Sequence, residues 1–267
     1  MLAKDLMTQD YVSVDQKDTV SKLLGKLITK KQKQAIVLDG KKYLGVVDKK
    51  AMLDSRLKVD EAKIKKFLKK TAKLDNETHI RKACEQMVSS DCQILPLTDK
   101  EGKVEGAVLA KDIIKRWANH AKGYTAKDIE REKLVTVDYN DPIGKVINII
   151  RHSNLSHIPV VELAGNISGV VSTIDILEKF FIFPSKREGG KRIRGEMTDA
   201  MKERDLMKMP IQNYMSKDIE TAKEDDSLTK VIDIMTEKGL SDVIITREDK
   251  PIGIVTTKDI LRLFSVV

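Results

Sequence analysis

Two short stretches of this 267-residue chain place a hydroxyl three residues ahead of a carboxylate, each just after a glycine-bearing β-like run. They are Ser172 and Asp175 in GVVSTIDIL (169–177), and Thr256 and Asp259 in GIVTTKDIL (253–261). By pattern alone this is a helix cap, in which hydroxyl and carboxylate satisfy orphan backbone N–H groups. The same geometry gathers free N–H groups, a hydroxyl and a charged acceptor at one point, which suits an anion. The two readings coexist, because the cap is what creates the site. Lys258, between Thr256 and Asp259, either reaches a phosphate or is solvated. Other chemistry finds no support. There is no nucleophile–base pair and no phosphate-binding Walker loop. Cys84 and Cys92 do not cluster with His79, His120, His152 or His157, so neither a metal site nor a disulfide framework is expected. An enzyme is therefore the least supported class.

The elements that must carry these residues recur four times. With Asp15, Asp75, Asp138 and Lys223 as register marks, an apolar i, i+3, i+4, i+7 pattern begins five residues later in every copy. It reads Val20/Leu23/Leu24/Leu27, Ile80/Ala83/Cys84/Met87, Ile143/Val146/Ile147/Ile150 and Leu228/Val231/Ile232/Met235. That is the period of a helix burying one stripe. Asp141-Pro142 offers an N-cap with proline at the first helical position, Asp226 can cap the fourth helix, and Gly239 can close it. Short β-like runs follow at AIVL (35–38), ILPL (94–97), IPVV (158–161) and VIIT (243–246). A turn and a second run then contain Gly45, Gly106, Gly169 or Gly253, which lie 30 or 31 residues after the mark. A second helix closes the unit, clearest in DIIKRWA (112–118), DILEKFF (175–181) and DILRLF (259–264). The predicted unit is β-α-β-β-α, of mixed α/β (α+β) class, with copies at 1–59, 60–121, 122–182 and 210–267. A basic insertion covers 183–209. One such unit exposes an apolar sheet face, so copies 1+2 and 3+4 are expected to pair sheet against sheet and the pairs to pack together.

Composition bounds the partners. The net charge of +8 favours anions, although lysine also serves solubility. No apolar run approaches the roughly 18 residues of a membrane span, and MLAKDLMTQD lacks a signal-peptide core, so a cytoplasmic, non-membrane protein is expected. The basic runs KIKKFLKK (63–70) and KREGGKRIR (186–194) raise an alternative nucleic-acid function on the same scaffold. It would use segment 63–73 together with Lys186, Arg187, Lys191, Arg192 and Arg194. Charge runs are more often solvated faces. Trp117 reads as packing rather than a stacking platform.

The strand–Gly–strand, Ser/Thr-x-x-Asp, helix pattern in GVVSTIDIL and GIVTTKDIL, preceded by IPVV, resembles the CBS-domain family over nearly the whole chain. The resemblance implies four tandem CBS units forming two Bateman modules, with an architecture similar to the nucleotide-sensing gamma subunit of AMP-activated protein kinase. It also implies a non-catalytic regulatory protein in signal transduction, with AMP, ADP, ATP or a related adenosyl compound as regulatory ligand and no required cofactor. Asp175 and Asp259 would accept ribose hydroxyls, while Ser172 and Thr256 would face phosphate. Adenine would lie among apolar strand residues such as Ile158, Pro159 and Val243, its edge read by main chain near Thr136 or Thr221. His157 sits where the family places basic groups facing phosphate, or is simply a strand-end histidine. Copy 2 keeps Asp112 but has Leu109 in the hydroxyl position. Copy 1 has Asp48 and Ala51 in place of hydroxyl and carboxylate. The 3+4 module is therefore the expected nucleotide site, with Asp112 a weaker contact. An unidentified protein or a second copy of the chain is the expected partner.

Overall fold

The computed structural model describes residues 1–53, 63–129, 134–153, 155–177 and 207–266. Repeat 1 runs β1 (Ser13–Asp15), α1 (Val20–Thr29), β2 (Gln34–Asp39), β3 (Lys42–Asp48) and a 3-10 segment, Lys49–Leu53. Repeat 2 runs α2 (Ile80–Ser90), β4 (Ile94–Thr98), β5 (Val104–Leu109) and α3 (Ala110–Arg116). Repeat 3 runs β6 (Val137–Asp138), α4 (Ile143–His152), β7 (His157–Val161), β8 (Ile167–Ser172) and α5 (Thr173–Leu177). Repeat 4 runs β9 (Thr221–Lys223), α6 (Leu228–Lys238), β10 (Asp242–Arg247), β11 (Lys250–Thr256) and α7 (Thr257–Val266). In repeats 1, 3 and 4 a parallel pair is followed by an antiparallel hairpin. Repeat 2 reduces the parallel partner to one bridge, Leu74 to Leu97.

All four apolar stripes are buried as their spacing predicts. Each fully buried aliphatic side chain contributes about 1.5–3 kcal/mol, so the stripes are what hold each helix to its sheet. The helix starts differ from expectation. Pro142 is itself the N-cap residue of α4, with extended backbone, and Ser227 rather than Asp226 caps α6 through Lys230 N. Asp141 and Asp226 sit one residue earlier and accept from the N–H of Asp138 and Lys223, closing the strand-to-helix turn. Each also pairs with the lysine four residues on. Gly239 does close α6, in the left-handed region at φ 67°.

The pairing of repeats follows from their lead-in segments, which are exchanged. Residues 2–3 bond the start of α2 and Thr8 bridges Ala107, so the segment before repeat 1 lies on repeat 2. In return Lys63 bridges Thr19 and Lys69 bridges Val46 of repeat 1. In the other module Pro210 bridges Pro142, Ser216 bridges Val170, and Thr125 bridges Ser227. These crossings explain the strand glycines. A Cβ on Gly45 would lie 2.8 Å from the Lys69 carbonyl oxygen, and one on Gly169 would lie 2.5 Å from Met215 Sδ and 3.0 Å from the Ser216 carbonyl oxygen. Gly45→Ala is expected to lower the urea midpoint by an amount equivalent to about 1–3 kcal/mol, because backbone rather than a flexible side chain must yield. Gly25→Ala, in α1 with open space around it, should instead be neutral or stabilising by up to about 1 kcal/mol. Equal midpoints for the two variants would refute the crossing as the cause.

Sheets of repeats 1 and 2 meet through Ile36, Val46, Ile94, Ala107 and Leu109. The modules then join helix to helix, with two cores shared crosswise. One combines repeats 2 and 4, including Trp117 packed edge-on to Phe264 at 5.7 Å. The other combines repeats 1 and 3. Arg151 of repeat 3 donates to the Leu53 carbonyl of repeat 1 at 2.9 Å, and Lys50 donates to the Ser153 carbonyl. Cys84 is fully buried in its helix stripe, with its thiol pushed up to about 12 by burial.

Candidate functional site

The two hydroxyl–carboxylate pairs fold alike. The register pairs His157 with Ser172 and Asp242 with Thr256, which brings the first residue of one strand beside the last residue of the next. In repeat 3, Ser172 N and Oγ donate to Asp175 Oδ2 at 2.8 and 2.7 Å, and Asp175 N donates back to Ser172 Oγ at 3.2 Å. In repeat 4, Thr256 N and Oγ1 donate to Asp259 Oδ2 at 2.8 and 2.6 Å, with the reciprocal bond at 3.2 Å. The capping reading therefore holds in both. The carboxylates differ in what remains. Asp259 is buried, its side chain 1% exposed, and Arg262 Nη1 donates to its Oδ1 at 3.2 Å. Asp175 is only half-buried, and its Oδ1 accepts no hydrogen bond among the described residues.

The other candidates scatter. Ile158 and Val243 are enclosed in the two shared cores, and Pro159 is buried in β7. Thr136 and Thr221 are half-buried at the first strands of their repeats, Thr221 opposite Ile244. Lys258 bonds Asp91 of repeat 2 at 3.1 Å and so links the modules. The Asp112 carboxylate makes no hydrogen bond or ion pair among the described residues, and burial raises its pKa. Both of its oxygens are therefore uncommitted among the described residues. Lys186, Arg187, Lys191, Arg192 and Arg194 lie outside the described residues. In the other basic run the lysines at 63, 65, 66, 69 and 70 are exposed, while Phe67 is partly buried against a core.

His157, Ser172 and Asp112 share one cavity of about 620 Å³, to which all four repeats contribute. Its lining carries seven lysines against two carboxylates, Asp112 and Glu237. Three residues near it, Gln34, Ile94 and Asp242, are not singled out by the sequence. Gln34, Ile94, His157 and Asp242 each open the central strand of their repeat. Gln34 Nε2 donates to Asp48 Oδ2 at 2.8 Å, and Lys50 N donates to Asp48 Oδ1 at 2.8 Å. The negative charge of repeat 1 is thus committed to its own turn. The buried Asp242 carboxylate accepts from His157 Nδ1 and from Ser241 Oγ at 3.0 Å, with Lys33 Nζ 3.6 Å away. Burial alone would raise its pKa, but His157 and Lys33 hold it well below the usual carboxylate range. Lys49 follows Asp48 at the position held by Ala110, Thr173 and Thr257 in the other repeats. It is 6% exposed, and desolvation lowers its pKa to about 8.

A model of the CBS domain matches residues 3–58, 67–119, 126–181 and 211–266. The chain belongs to the CBS domain family. A crystal structure of protein MJ1225 from Methanocaldococcus jannaschii, described there as a proposed archaeal homologue of g-AMPK, superposes on this CBS chain with a TM-score of 0.81. The two are 18% identical, over 99% of this chain and 100% of that one. An uncharacterised conserved protein from Pyrococcus horikoshii superposes with a TM-score of 0.66 at 21% identity, over 99% of this chain and 100% of that one. Among curated sequences, the uncharacterised protein MJ1404 of Methanocaldococcus jannaschii is 27% identical over 97% of this chain and 61% of its own length. The chain thus spans about three fifths of the first curated relatives it matches, 61% and 57%. The four-repeat architecture and its two Bateman modules agree with both the family match and the fold. Among the described residues no helix is long and apolar enough to cross a membrane, and no cluster of three or more His, Cys, Asp or Glu could hold a metal.

Proposed function

We propose that this CBS chain is a non-catalytic sensor that binds an adenine nucleotide or related adenosyl ligand in the cleft of repeats 3 and 4. The observation that carries the reading is the contrast between the two caps. Asp175 is pre-oriented by Ser172 yet retains an unfilled oxygen at a half-buried position. Such an oxygen suits a ribose hydroxyl, a neutral donor strengthened by the acceptor's charge. Asp259 already serves Arg262, so repeat 3 is the primary site and repeat 4 the weaker one. The cationic cavity beside Ser172 favours AMP, ADP or ATP over the cationic S-adenosylmethionine. Bound ligand would act by preferring one arrangement of the modules, and a partner protein or a second copy would respond.

Isothermal titration with AMP, ADP, ATP and S-adenosylmethionine tests this. A hydrogen bond to a charged acceptor contributes about 1.5–3 kcal/mol, so Asp175→Asn is expected to weaken the preferred nucleotide by about 10- to 100-fold. Unchanged affinity in that variant, or no binding of any adenosine compound to the wild type, overturns the reading. Tight RNA binding with a steep salt dependence would favour the nucleic-acid alternative instead.

A further inference from the structure

The four central strands begin at the central cavity and end away from it. Gln34, Ile94, His157 and Ser241 line the cavity at or just before the strand starts, whereas none of the hairpin tips does among the described residues. A strand of this length spans roughly 16–20 Å, so the tips form two outer ends, one per module. The ends are built alike. In the first module Tyr43 N donates to the Gly102 carbonyl at 3.4 Å, and in the second Ile167 N donates to the Asp249 carbonyl at 3.0 Å. A lead-in segment then runs along each end, with Lys69 bridging Val46 and Ser216 bridging Val170. Lys73 Nζ lies 4.0 Å from where a Cβ on Gly102 would stand.

The charges of the two ends are opposite. The first gathers Lys41, Lys42 and Lys100 from its tips, and Lys69, Lys70 and Lys73 from the lead-in KKTAK (69–73). These lysines are exposed and make no ion pair among the described residues. Of the carboxylates beside them, Asp15 and Asp99 bond backbone N–H groups at their turns, Glu101 pairs with Lys103, and Asp39 is exposed. Lysine stays in excess. The second end gathers Glu162, Glu248 and Asp249 from its tips and Asp218 from the matching lead-in SKDIE (216–220). They too are exposed and without an ion pair among the described residues. Lys217 and Lys250 oppose them, while Arg247 is paired with Glu224 and Glu220 with Lys238. Leu163, beside Glu162, is 87% exposed.

We propose that the lysine end of one chain docks on the acidic end of a second copy. A polyanion would explain the lysine end and leave the acidic end, with its bare leucine, unexplained. A second copy accounts for both. Leu163 would meet Tyr43, half-buried at the lysine end with its hydroxyl 2.5 Å from Thr71 Oγ1. The contact uses neither the cavity nor the adenosine cleft, and it differs from the joining of modules within one chain. Because unlike surfaces meet, each added copy still offers a free end, so growth passes the dimer unless it closes into a ring. The ends are small, so the association is weak and dependent on salt.

Sedimentation of the full chain at low salt, over rising concentration, tests this. The average mass is expected to climb above that of a single chain, and association to weaken at least fivefold between about 50 and 500 mM salt. A monomer at every concentration, or association that salt leaves unchanged or strengthens, overturns the proposal. Charge reversal gives a second reading. One variant carries Lys41→Glu, Lys42→Glu and Lys70→Glu; the other carries Glu162→Lys, Asp218→Lys and Glu248→Lys. Each alone has like charges at both ends and should stay monomeric, whereas an equal mixture of the two should associate. Unfolding midpoints matching wild type confirm that both are folded. A mixture that stays monomeric, or a single variant that associates as wild type does, overturns the proposal. Asp175→Asn should associate as wild type does, and its failure to do so would also count against it. A DNA duplex or polyglutamate that binds the lysine end of a chain that never self-associates would assign that end to another partner and overturn the inference.

Discussion

Asp242→Asn is expected to lower the free energy of unfolding at pH 7 by about 2–3 kcal/mol, read from a denaturant midpoint at unchanged slope. Removing one member of a buried ion pair typically costs about 3–5 kcal/mol, because the other charge is left uncompensated. The lower figure applies here since Lys33 and His157 keep 16% and 22% of their side-chain surface in water. Asparagine preserves shape and can still bond Ser241, so the loss reports charge rather than volume. The acid limb gives a second check. Asp242 has a folded pKa below its ordinary value of 3.8, held there by His157 and Lys33 against the effect of burial. Its contribution is therefore complete above the unfolded pKa and is lost as pH falls below about 4. The gap between wild type and variant should shrink as pH falls below about 4. A gap that instead widens in acid would show that Asp242 is not held ionised by these partners.

Lys49→Met should act in the opposite sense. The folded pKa of about 8 lies below the ordinary lysine value of 10.5, so the buried ammonium opposes folding wherever both states are charged. A depression of that size corresponds to roughly 3 kcal/mol. The net gain at pH 7 is put at about 1–3 kcal/mol, because Asp48, Asp242 and Asp175 lose a favourable neighbour. Between the folded and unfolded pKa values the unfolded state binds the extra proton, so wild-type stability rises with pH there. The advantage of Lys49→Met should thus be full below pH 8 and close toward pH 10.5. Thermal unfolding of both proteins across pH 7–10 measures this directly, at about 2–4 °C per kcal/mol for a chain of this size. A variant less stable than wild type at pH 7 would mean that Lys49 already has an internal counter-charge. The two substitutions also couple. Asp242 is one of the groups favouring the charged form of Lys49, so the double variant should lose less than the separate effects imply.

The physical contrast between these residues and the caps explains how much of the site was legible. Ser172–Asp175 and Thr256–Asp259 are local, three residues apart on one turn, so the chain states their hydrogen bonds in advance. Asp175 and Asp259 nevertheless looked equivalent until Arg262 was seen to close one and leave the other partly open. Asp112 looked weak because Leu109 cannot cap, yet the same absence leaves its carboxylate uncommitted. Lys49 and Asp242 carried only a faint signal, a charge in a slot that three other copies fill differently. Its meaning lies in which repeats meet at the centre, and no spacing records that.

Sequence alone determined the repeat, the helix stripes, the strand glycines and the family, because each depends on periodicity within about sixty residues of chain. It also placed both hydroxyl–carboxylate pairs at helix starts. Tertiary structure alone decided what those glycines admit, namely the exchanged lead-in segments crossing Gly45 and Gly169. It likewise decided the assembly of lysines from four separate repeats around one cavity. Burial and electrostatics act through space rather than along the chain. The charge on Lys49 is unremarkable in the sequence and exceptional only where Ala110, Thr173 and Thr257 have none and the side chain is buried.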